Sequence, residues 1–395
     1  MPIEGIKGVA AKGEGSEGTY FLWLKPFGNG WQALINFTYA NRSTLGESAG
    51  KHIIEVLSVW AEAISIWSKL PPESSIVGEL CLHLLEPLAD SYKKETVRNK
   101  LLKVILKVSP SIPEQFQALI ERDVFVSKRR NERPRYADEF VSLALTSELV
   151  TTLSRNNPDL VIRLSMHEWM RVETDKVDEI FRSRPKGRET YGLEDPRGYF
   201  PASGIRGPFR SLFQYHPRKG LDFVLNLCRT CASNHVGSED CQPHKPTEGL
   251  LDEMNVETHS LNTQDGAEVL QYASPHLWKG YRGHSTVPYL LQCALMAFEN
   301  WLVDYVENPP AKNELDWIYD YVLKSSNSVL TTAVLASVAV GFPEKVGASA
   351  YPLLRCPGFY TLDLMRGVQE RGGEKLTGSA LNVMQCLDSS SKSEA

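Results

Sequence analysis

Apolar side chains recur at steps of three and four residues along much of this 395-residue chain, and proline or glycine interrupts each run. The clearest run lies between residues 285 and 307. Its apolar residues are Leu291, Ala294, Leu295, Phe298, Trp301, Leu302 and Tyr305. This spacing places them on one face of a helix. Ser285 or Thr286 could cap that helix, Pro288 suits its first turn, and the prolines at 309 and 310 end it.

The same pattern predicts further helices on both sides of this run. In the C-terminal half they are a stripe from Leu315 to Leu323, a helix over 328–340, one from Pro343 to about Leu354, and one after Pro357. In the N-terminal half one stripe consists of Ile53, Leu57, Trp60, Ile64 and Trp67, and a second of Ile76, Leu80, Leu84 and Leu88. Four more helices are predicted over 97–108, 112–127, Asp138–Ser154 and Asp159–Arg171.

Helices of this length with short connections pack antiparallel to their neighbours. Alternation with a period of two is confined to a short candidate strand around Glu268 to Tyr272. The predicted fold class is therefore mainly all-α. We expect an α-solenoid-like array of antiparallel helical hairpins with a small irregular or β insertion around 233–275.

Two polar segments rich in glycine and proline, 182–207 and 233–266, interrupt the helical pattern. Long connections in compact proteins are usually functional or disordered. We expect N-terminal helical repeats over 1–180, a loop-rich connection over 181–207, C-terminal repeats over 208–370, and a terminal helix with a disordered tail over 371–395. Similar patterns starting at Gly30 and Gly220 hint at internal repetition, although any two core helices can share such a pattern.

Charge and hydropathy exclude several partners and locations. The net charge of −5 and the pI near 6.0 give no overall attraction to a phosphate backbone, so nucleic acid is not an expected partner. The N-terminal residues lack the layout of a signal peptide. The longest small-apolar run, 329–342, is shorter than the roughly 18 residues that span a membrane. Seven cysteines without a secretory signal favour free thiols. We expect a cytoplasmic protein without a membrane partner.

The sequence contains no nucleotide or hydrolase motif in the context that it requires. Gly13, Gly15 and Gly18 match G-x-G-x-x-G, but no strand is predicted before them, and the patterns G-x-x-x-x-G-K-[ST] and G-x-S-x-G are missing. Met166-His167-Glu168 has Arg171 where a metalloprotease helix needs a second histidine. Glu173, Asp175 and Lys176 could imitate a nuclease centre, but such triplets arise by chance on charged surfaces. We expect neither catalysis nor a cofactor. The alternative is a zinc-dependent or nuclease-like enzyme with its site in the loops 182–207 and 233–266.

One group of residues has the spacing of metal ligands. Cys228, Cys231, Cys241 and His244 could hold tetrahedral zinc, with His235 between the two pairs. Four protein ligands leave no open catalytic position, so zinc would staple the loop that starts at Ser233. The favoured alternative is that Cys228 and Cys231 pack as small hydrophobic residues on an apolar helix.

Basic and aromatic clusters supply candidate partner-binding residues. The basic clusters are Lys128, Arg129, Arg130, Arg133 and Arg135, and Arg182, Arg184, Lys186 and Arg188. They could contact phosphate or an acidic protein surface, but a solvated helix end or linker is the favoured interpretation. The aromatic and basic group consists of Tyr272, His276, Trp278, Tyr281 and Arg282, residue types that dominate binding hot spots. We select Tyr272, Trp278, Tyr281, Arg282, Arg129 and Arg130. Core packing of Trp278 is the alternative.

Three segments resemble the helical C-terminal regions of large bacterial STAND-type NTPases, including the antiviral Avs proteins. They are Tyr199 to Leu227, Gln271 to Leu302, and Ser326 to Val346. In that family, an effector and an ATPase precede a repeat array that recognises a phage protein. The resemblance therefore implies a sensor-like array with a phage protein as ligand, and an NTPase or effector module in the same or a neighbouring chain. It transfers neither ATPase nor effector activity. A constitutive structural subunit is the other alternative.

Overall fold

A computed structural model describes residues 30–65, 68–88, 94–126, 133–146, 148–171, 187–194, 197–238, 256–282, 287–310 and 314–370. The chain divides into two compact units. The first comprises 1–170 together with 206–220, and the second comprises 171–205 together with 221–395. Residues up to 205 of the predicted connection 181–207 thus belong to the second unit. The predicted terminal helix and tail over 371–395 lie outside the described residues.

Over the described ranges the protein is mostly helical and has one small two-stranded sheet, which confirms the predicted mainly helical class. The described helices before residue 220 are α1 (Gly30–Ala40), α2 (Glu47–Glu62), α3 (Ser74–Leu85), α4 (Glu95–Val108), α5 (Pro113–Asp123), α6 (Arg135–Thr146), α7 (Val150–Asn156), α8 (Pro158–Trp169), α9 (Phe209–Tyr215) and the start of α10 (Pro217–Val236). Proline occupies the first turn of α5 and α8, where its missing N–H has no intrahelical partner to lose.

The two apolar stripes predicted in the first unit are mostly buried. Ile53, Leu57 and Trp60 are buried on α2, and Leu80 and Leu84 are buried on α3, whereas Ile76 and Leu88 are half-buried. Helix α4 is the most central, because it packs against α2, α3, α6 and α7. Contacts also join α1 to α3, α6 to α8 and α7 to α9, so helices two apart in the sequence are neighbours. Trp67 of the predicted stripe lies outside the described residues.

The second unit contains the sheet. Strand β1 (Glu257–Asn262) pairs antiparallel with β2 (Glu268–Ala273), so that Glu257 lies opposite Ala273 and Asn262 opposite Glu268. Gly266 has φ of 84° in the connecting turn, a conformation that other residues rarely adopt. Strand β2 confirms the strand predicted around Glu268 to Tyr272, and the sheet lies inside the predicted insertion 233–275. Helix α10 continues to Val236, slightly beyond the predicted start of that insertion.

The remaining helices are α11 (Pro275–Trp278), α12 (Tyr289–Glu307), α13 (Leu315–Ser325), α14 (Val329–Gly341), α15 (Pro343–Val346), α16 (Tyr351–Leu354) and α17 (Pro357–Glu370). Helix α14 packs against α11, α12, α13 and β2, and α11 also packs against α17. The predicted stripe of α13 is buried throughout, and that of α12 is buried except for half-buried Trp301 and Tyr305. Pro288 directly precedes α12, whereas Ser285 and Thr286 lie outside the described residues.

Three predicted helices differ from the structure. The single helix over Asp138–Ser154 is wrong, because α6 ends at Thr146 and α7 starts at Val150. The helix from Pro343 to Leu354 is also interrupted, since Gly347 has φ of 53° and a 3₁₀ turn over Gly347–Ala350 separates α15 from α16. The helix predicted over 112–127 ends at Asp123. Apolar spacing continues through these breaks, so periodicity alone does not reveal them.

None of the helices in the described ranges is by itself long and apolar enough to cross a bilayer. The pair Val329–Gly341 and Pro343–Leu354 meets the length and composition criteria together, but it bends by 109°.

Candidate interaction surface

Two of the predicted partner-binding residues lie in the core of the second unit. Trp278 is 1% exposed, its ring stacks on Phe359 with 5.3 Å between centroids, and its Nε1 donates to Oδ1 of Asp363 at 3.2 Å. Tyr281 is also 1% exposed. In this conformation neither ring is accessible to a partner, so the structure supports the alternative of core packing for Trp278.

Of the remaining members of that group, His276 is buried, whereas Tyr272 and Arg282 are half-buried and make internal contacts. The guanidinium of Arg282 lies 4.7 Å from the centre of the Tyr281 ring and 4.0 Å from a carboxylate oxygen of Glu299. The backbone N–H of Tyr272 donates to the carbonyl oxygen of Asn327 at 2.8 Å. The cluster therefore presents no fully exposed aromatic ring among its described members.

The first basic cluster is described only at Arg133 and Arg135, because Lys128, Arg129 and Arg130 lie outside the described residues. The side chain of Arg133 is only 6% exposed. Its Nη1 donates to Oε1 of Glu168 at 2.7 Å, and its Nε donates to Oδ1 of Asp138 at 2.9 Å. Two carboxylates thus neutralise this guanidinium, which is not available to phosphate.

Glu168 should make the stability of the first unit sensitive to acid. Burial alone would raise its pKa, but hydrogen bonds from His167 and Arg133 outweigh that effect and lower the pKa to about 2. The ionised carboxylate of Glu168 therefore contributes its full stabilisation at pH values above 4.5, its ordinary pKa. That contribution is lost as the pH falls towards 2. Glu168→Gln should reduce stability at neutral pH and flatten the pH dependence in this window.

Urea denaturation at several pH values between 2 and 7 measures this effect. Glu114→Gln removes an exposed carboxylate from the same unit and is the matched control. Equal acid sensitivity in Glu168→Gln and in the unmodified protein would contradict the assignment.

The two described cysteines of the predicted zinc site lie on the buried side of α10. Cys228 is 3% and Cys231 0% exposed, and burial raises the pKa of both thiols. Neutral buried thiols pack as small hydrophobic groups, which supports the packing interpretation. Cys241 and His244 lie outside the described residues. Within the described ranges, no group of three or more His, Cys, Asp or Glu side chains is arranged to hold a metal.

His235 anchors a short 3₁₀ helix, Gly187–Tyr191, to the end of α10. Its ring stacks on Tyr191 with 4.3 Å between centroids and an angle of 5° between the planes. The Thr190 hydroxyl donates to the carbonyl oxygen of Gly187 and lies 2.7 Å from Nδ1 of His235. Because that hydroxyl has only one proton, Nδ1 of His235 must donate to it. The 3₁₀ helix carries Arg188, the one described residue of the second basic cluster.

Residues 199–204 lie along one face of α12. The backbone N–H of Ser203 donates to Sγ of Cys293 at 3.3 Å, and that thiol lies 3.8 Å from the carbonyl oxygen of Tyr199. A Cβ added at Gly204 would come within 3.0 Å of the Met296 backbone. Glycine therefore permits a close approach that a larger residue would prevent.

This arrangement exposes apolar side chains beside a cation. Phe200 is 60% and Ile205 64% exposed, although both are large and apolar. The Phe200 ring contacts the Tyr289 ring with 4.8 Å between centroids. The guanidinium of Arg188 lies 3.7 Å from the centre of the Tyr289 ring, a cation–π contact. We call Arg188, Phe200, Ile205 and Tyr289 the loop surface.

Only part of the loop surface was predictable from the sequence. Arg188 belonged to a predicted basic cluster, and the segment 182–207 was expected to be functional or disordered. Phe200, Ile205 and Tyr289 were missed. The available signal was the presence of large apolar residues inside a polar, glycine-rich connection. Arg182, Arg184, Lys186, Glu173, Asp175 and Lys176 lie outside the described residues.

The sequence matches no protein-family model, and it has no significant match among curated proteins.

Proposed function

We propose that this protein is a non-catalytic helical scaffold that binds a protein ligand through the loop surface. The observation that carries the proposal is the exposure of Phe200 and Ile205 on a segment that is hydrogen-bonded to α12 through Ser203. Large apolar residues beside tyrosine and arginine are typical of the anchors that dominate protein interfaces. The segment is fixed by contacts with Cys293, so little conformational freedom is lost when a partner binds.

The packing within each unit supports an α-solenoid-like arrangement as part of this proposal. In the first unit, five pairs of the described helices that are two apart in the sequence contact each other: α1 with α3, α2 with α4, α4 with α6, α6 with α8, and α7 with α9. In the second unit, α12 and α14 repeat this relation. Successive antiparallel hairpins produce such contacts, and stacked hairpins supply extended binding faces.

The ligand we propose is a phage protein, and the system is a bacterial STAND-type defence system in the cytoplasm. Two of the segments that resemble this family contain residues of the loop surface. The segment Tyr199 to Leu227 includes Phe200 and Ile205, and the segment Gln271 to Leu302 includes Tyr289. An NTPase or effector module, in the same or a neighbouring chain, would convert recognition into a response.

A polar and a charged substitution in the loop surface should strongly weaken binding. Phe200→Ser combined with Ile205→Asp removes the exposed apolar groups and places a carboxylate at the interface. Loss of hot-spot residues costs about 2 kcal/mol or more, so affinity should fall at least about thirty-fold. Stability should change by less than about 0.5 kcal/mol for each substitution, because both side chains are exposed. Affinity capture from infected and uninfected cells, followed by mass spectrometry, measures the effect.

Val340→Asp is the matched control, because Val340 is 69% exposed in the same unit but belongs to α14. A phage protein enriched by the unmodified chain and by Val340→Asp, but not by the double variant, supports the proposal. Equal capture by all three chains excludes the loop surface. Capture of one host protein from infected and uninfected cells alike instead indicates a constitutive structural subunit.

A further inference from the structure

A second exposed aromatic site lies on α13, outside the loop surface. This helix buries Leu315, Ile318, Tyr319, Val322 and Leu323. Trp317 and Tyr321 lie four residues apart and are not part of that stripe. Their rings stack with 4.9 Å between centroids and an angle of 14° between the planes. Trp317 is 38% exposed, so part of the indole remains accessible after stacking.

A carboxylate from another helix lies beside this stack. The Tyr321 hydroxyl donates to Oδ1 of Asp222, an exposed residue on α10, at 2.6 Å. A carboxylate can accept about four hydrogen bonds, so this one bond leaves most of its capacity for another donor. Arg229, two turns further along α10, donates from Nη2 to the carbonyl oxygen of Ser325 at 2.7 Å.

Both parts of the site favour a positive charge. The face of an aromatic ring carries partial negative charge and attracts cations, most strongly for tryptophan. The Asp222 carboxylate, which is hydrogen-bonded to the hydroxyl of the stacked tyrosine, supplies a further acceptor and full negative charge. We propose that Trp317, Tyr321 and Asp222 form a docking site for an arginine or lysine side chain of a protein partner.

The chemistry of these groups favours arginine over lysine. A planar guanidinium can stack on an indole and still has N–H groups for a carboxylate, whereas an ammonium group offers only a point charge. The site lies at the surface of α13 and α10, and its size suits a single side chain of a protein partner. It does not depend on the loop surface, and it would remain if the loop surface bound nothing.

A short peptide isolates this site from the unknown partner. The probe is a fluorescent peptide with alternating glycine and arginine, and its control replaces each arginine by the neutral isostere citrulline. Anisotropy titration in 20 mM salt measures both affinities on the complete chain. An exposed cation–π contact with an adjacent ion pair predicts roughly three- to ten-fold tighter binding of the arginine peptide. A lysine peptide should bind with intermediate affinity.

Substitutions test which groups carry that preference. Trp317→Ala and Asp222→Asn should each remove most of it, and 300 mM salt should weaken it. Tyr351→Ala and Glu344→Gln change an exposed tyrosine and an exposed carboxylate elsewhere in the same unit, and they should retain it. Circular dichroism checks folding, and Trp317→Phe replaces Trp317→Ala if that variant is unfolded.

Several results would overturn the proposal. Equal affinity for the arginine and citrulline peptides excludes recognition of a cation. A preference that survives both Trp317→Ala and Trp317→Phe excludes stacking on the indole. A preference lost in Phe200→Ser with Ile205→Asp, but kept in Asp222→Asn, assigns peptide binding to the loop surface instead.

Discussion

Replacing Glu139 by leucine should destabilise the protein by about 3–5 kcal/mol, one of the two largest effects that we expect. Arg98 on α4 is 2% exposed, and its Nε donates to Oε2 of Glu139 on α6 at 2.9 Å. A second contact joins its Nη2 to the same carboxylate, and Nη1 donates to the carbonyl oxygen of Leu88 at 3.3 Å. Leucine would leave a buried guanidinium without its negative partner, and the cost of burying that charge would no longer be offset.

The double variant Arg98→Met with Glu139→Leu separates this cause from a general packing defect. Replacing both members of a buried ion pair by apolar residues of similar volume is often nearly neutral. We therefore expect the double variant to be more stable than Glu139→Leu alone. Urea denaturation gives the free energy of unfolding, and hydrogen exchange of α4 and α6 amides assigns the loss to this pair. A double variant no more stable than the single one would refute the explanation.

Trp278→Ala should cost about 3–5 kcal/mol, because it removes a fully buried aromatic side chain and leaves a cavity. The variant would also lose the ring contact with Phe359 and the hydrogen bond to Asp363. Trp278→Phe keeps much of the volume and should cost clearly less. Asp363 would still accept a hydrogen bond from Nε of Arg366 at 2.9 Å in both variants.

Thermal and urea denaturation of the two Trp278 variants measure these differences. The experiment also separates a core role from the role in binding that the sequence suggested. A binding hot spot should lose partner affinity on Trp278→Ala while the free protein keeps its stability. A loss below about 1 kcal/mol would therefore contradict the core assignment and revive Trp278 as a contact residue.

Much of the secondary structure was predictable because it depends on local chemistry. The buried stripe of α13, from Leu315 to Leu323, was predicted residue by residue. Helix breaks at proline were also predictable, since proline lacks a backbone donor. The break between α6 and α7 was not predictable, because apolar residues keep a helical spacing on both sides of it. Tertiary packing of the two short helices decided that point.

The exposed residues that could bind a partner were predictable only in part, and Trp278 and Trp317 show the reason. Composition and neighbouring residues made Trp278 a plausible contact residue, but other elements of the fold cover it. The sequence pattern did not single out Trp317, but this residue is 38% exposed and its ring stacks on Tyr321.

Periodicity specifies which side of a helix is apolar, so the sequence by itself determined the mainly helical class and most of the buried stripes. Which aromatic side chains remain exposed depends on segments distant in the sequence. Gly204 and Ser203 pack against α12, and this contact positions the segment that carries the exposed side chains of Phe200 and Ile205. Only the tertiary structure decided this, because exposure is a property of what covers a residue and not of the residue itself.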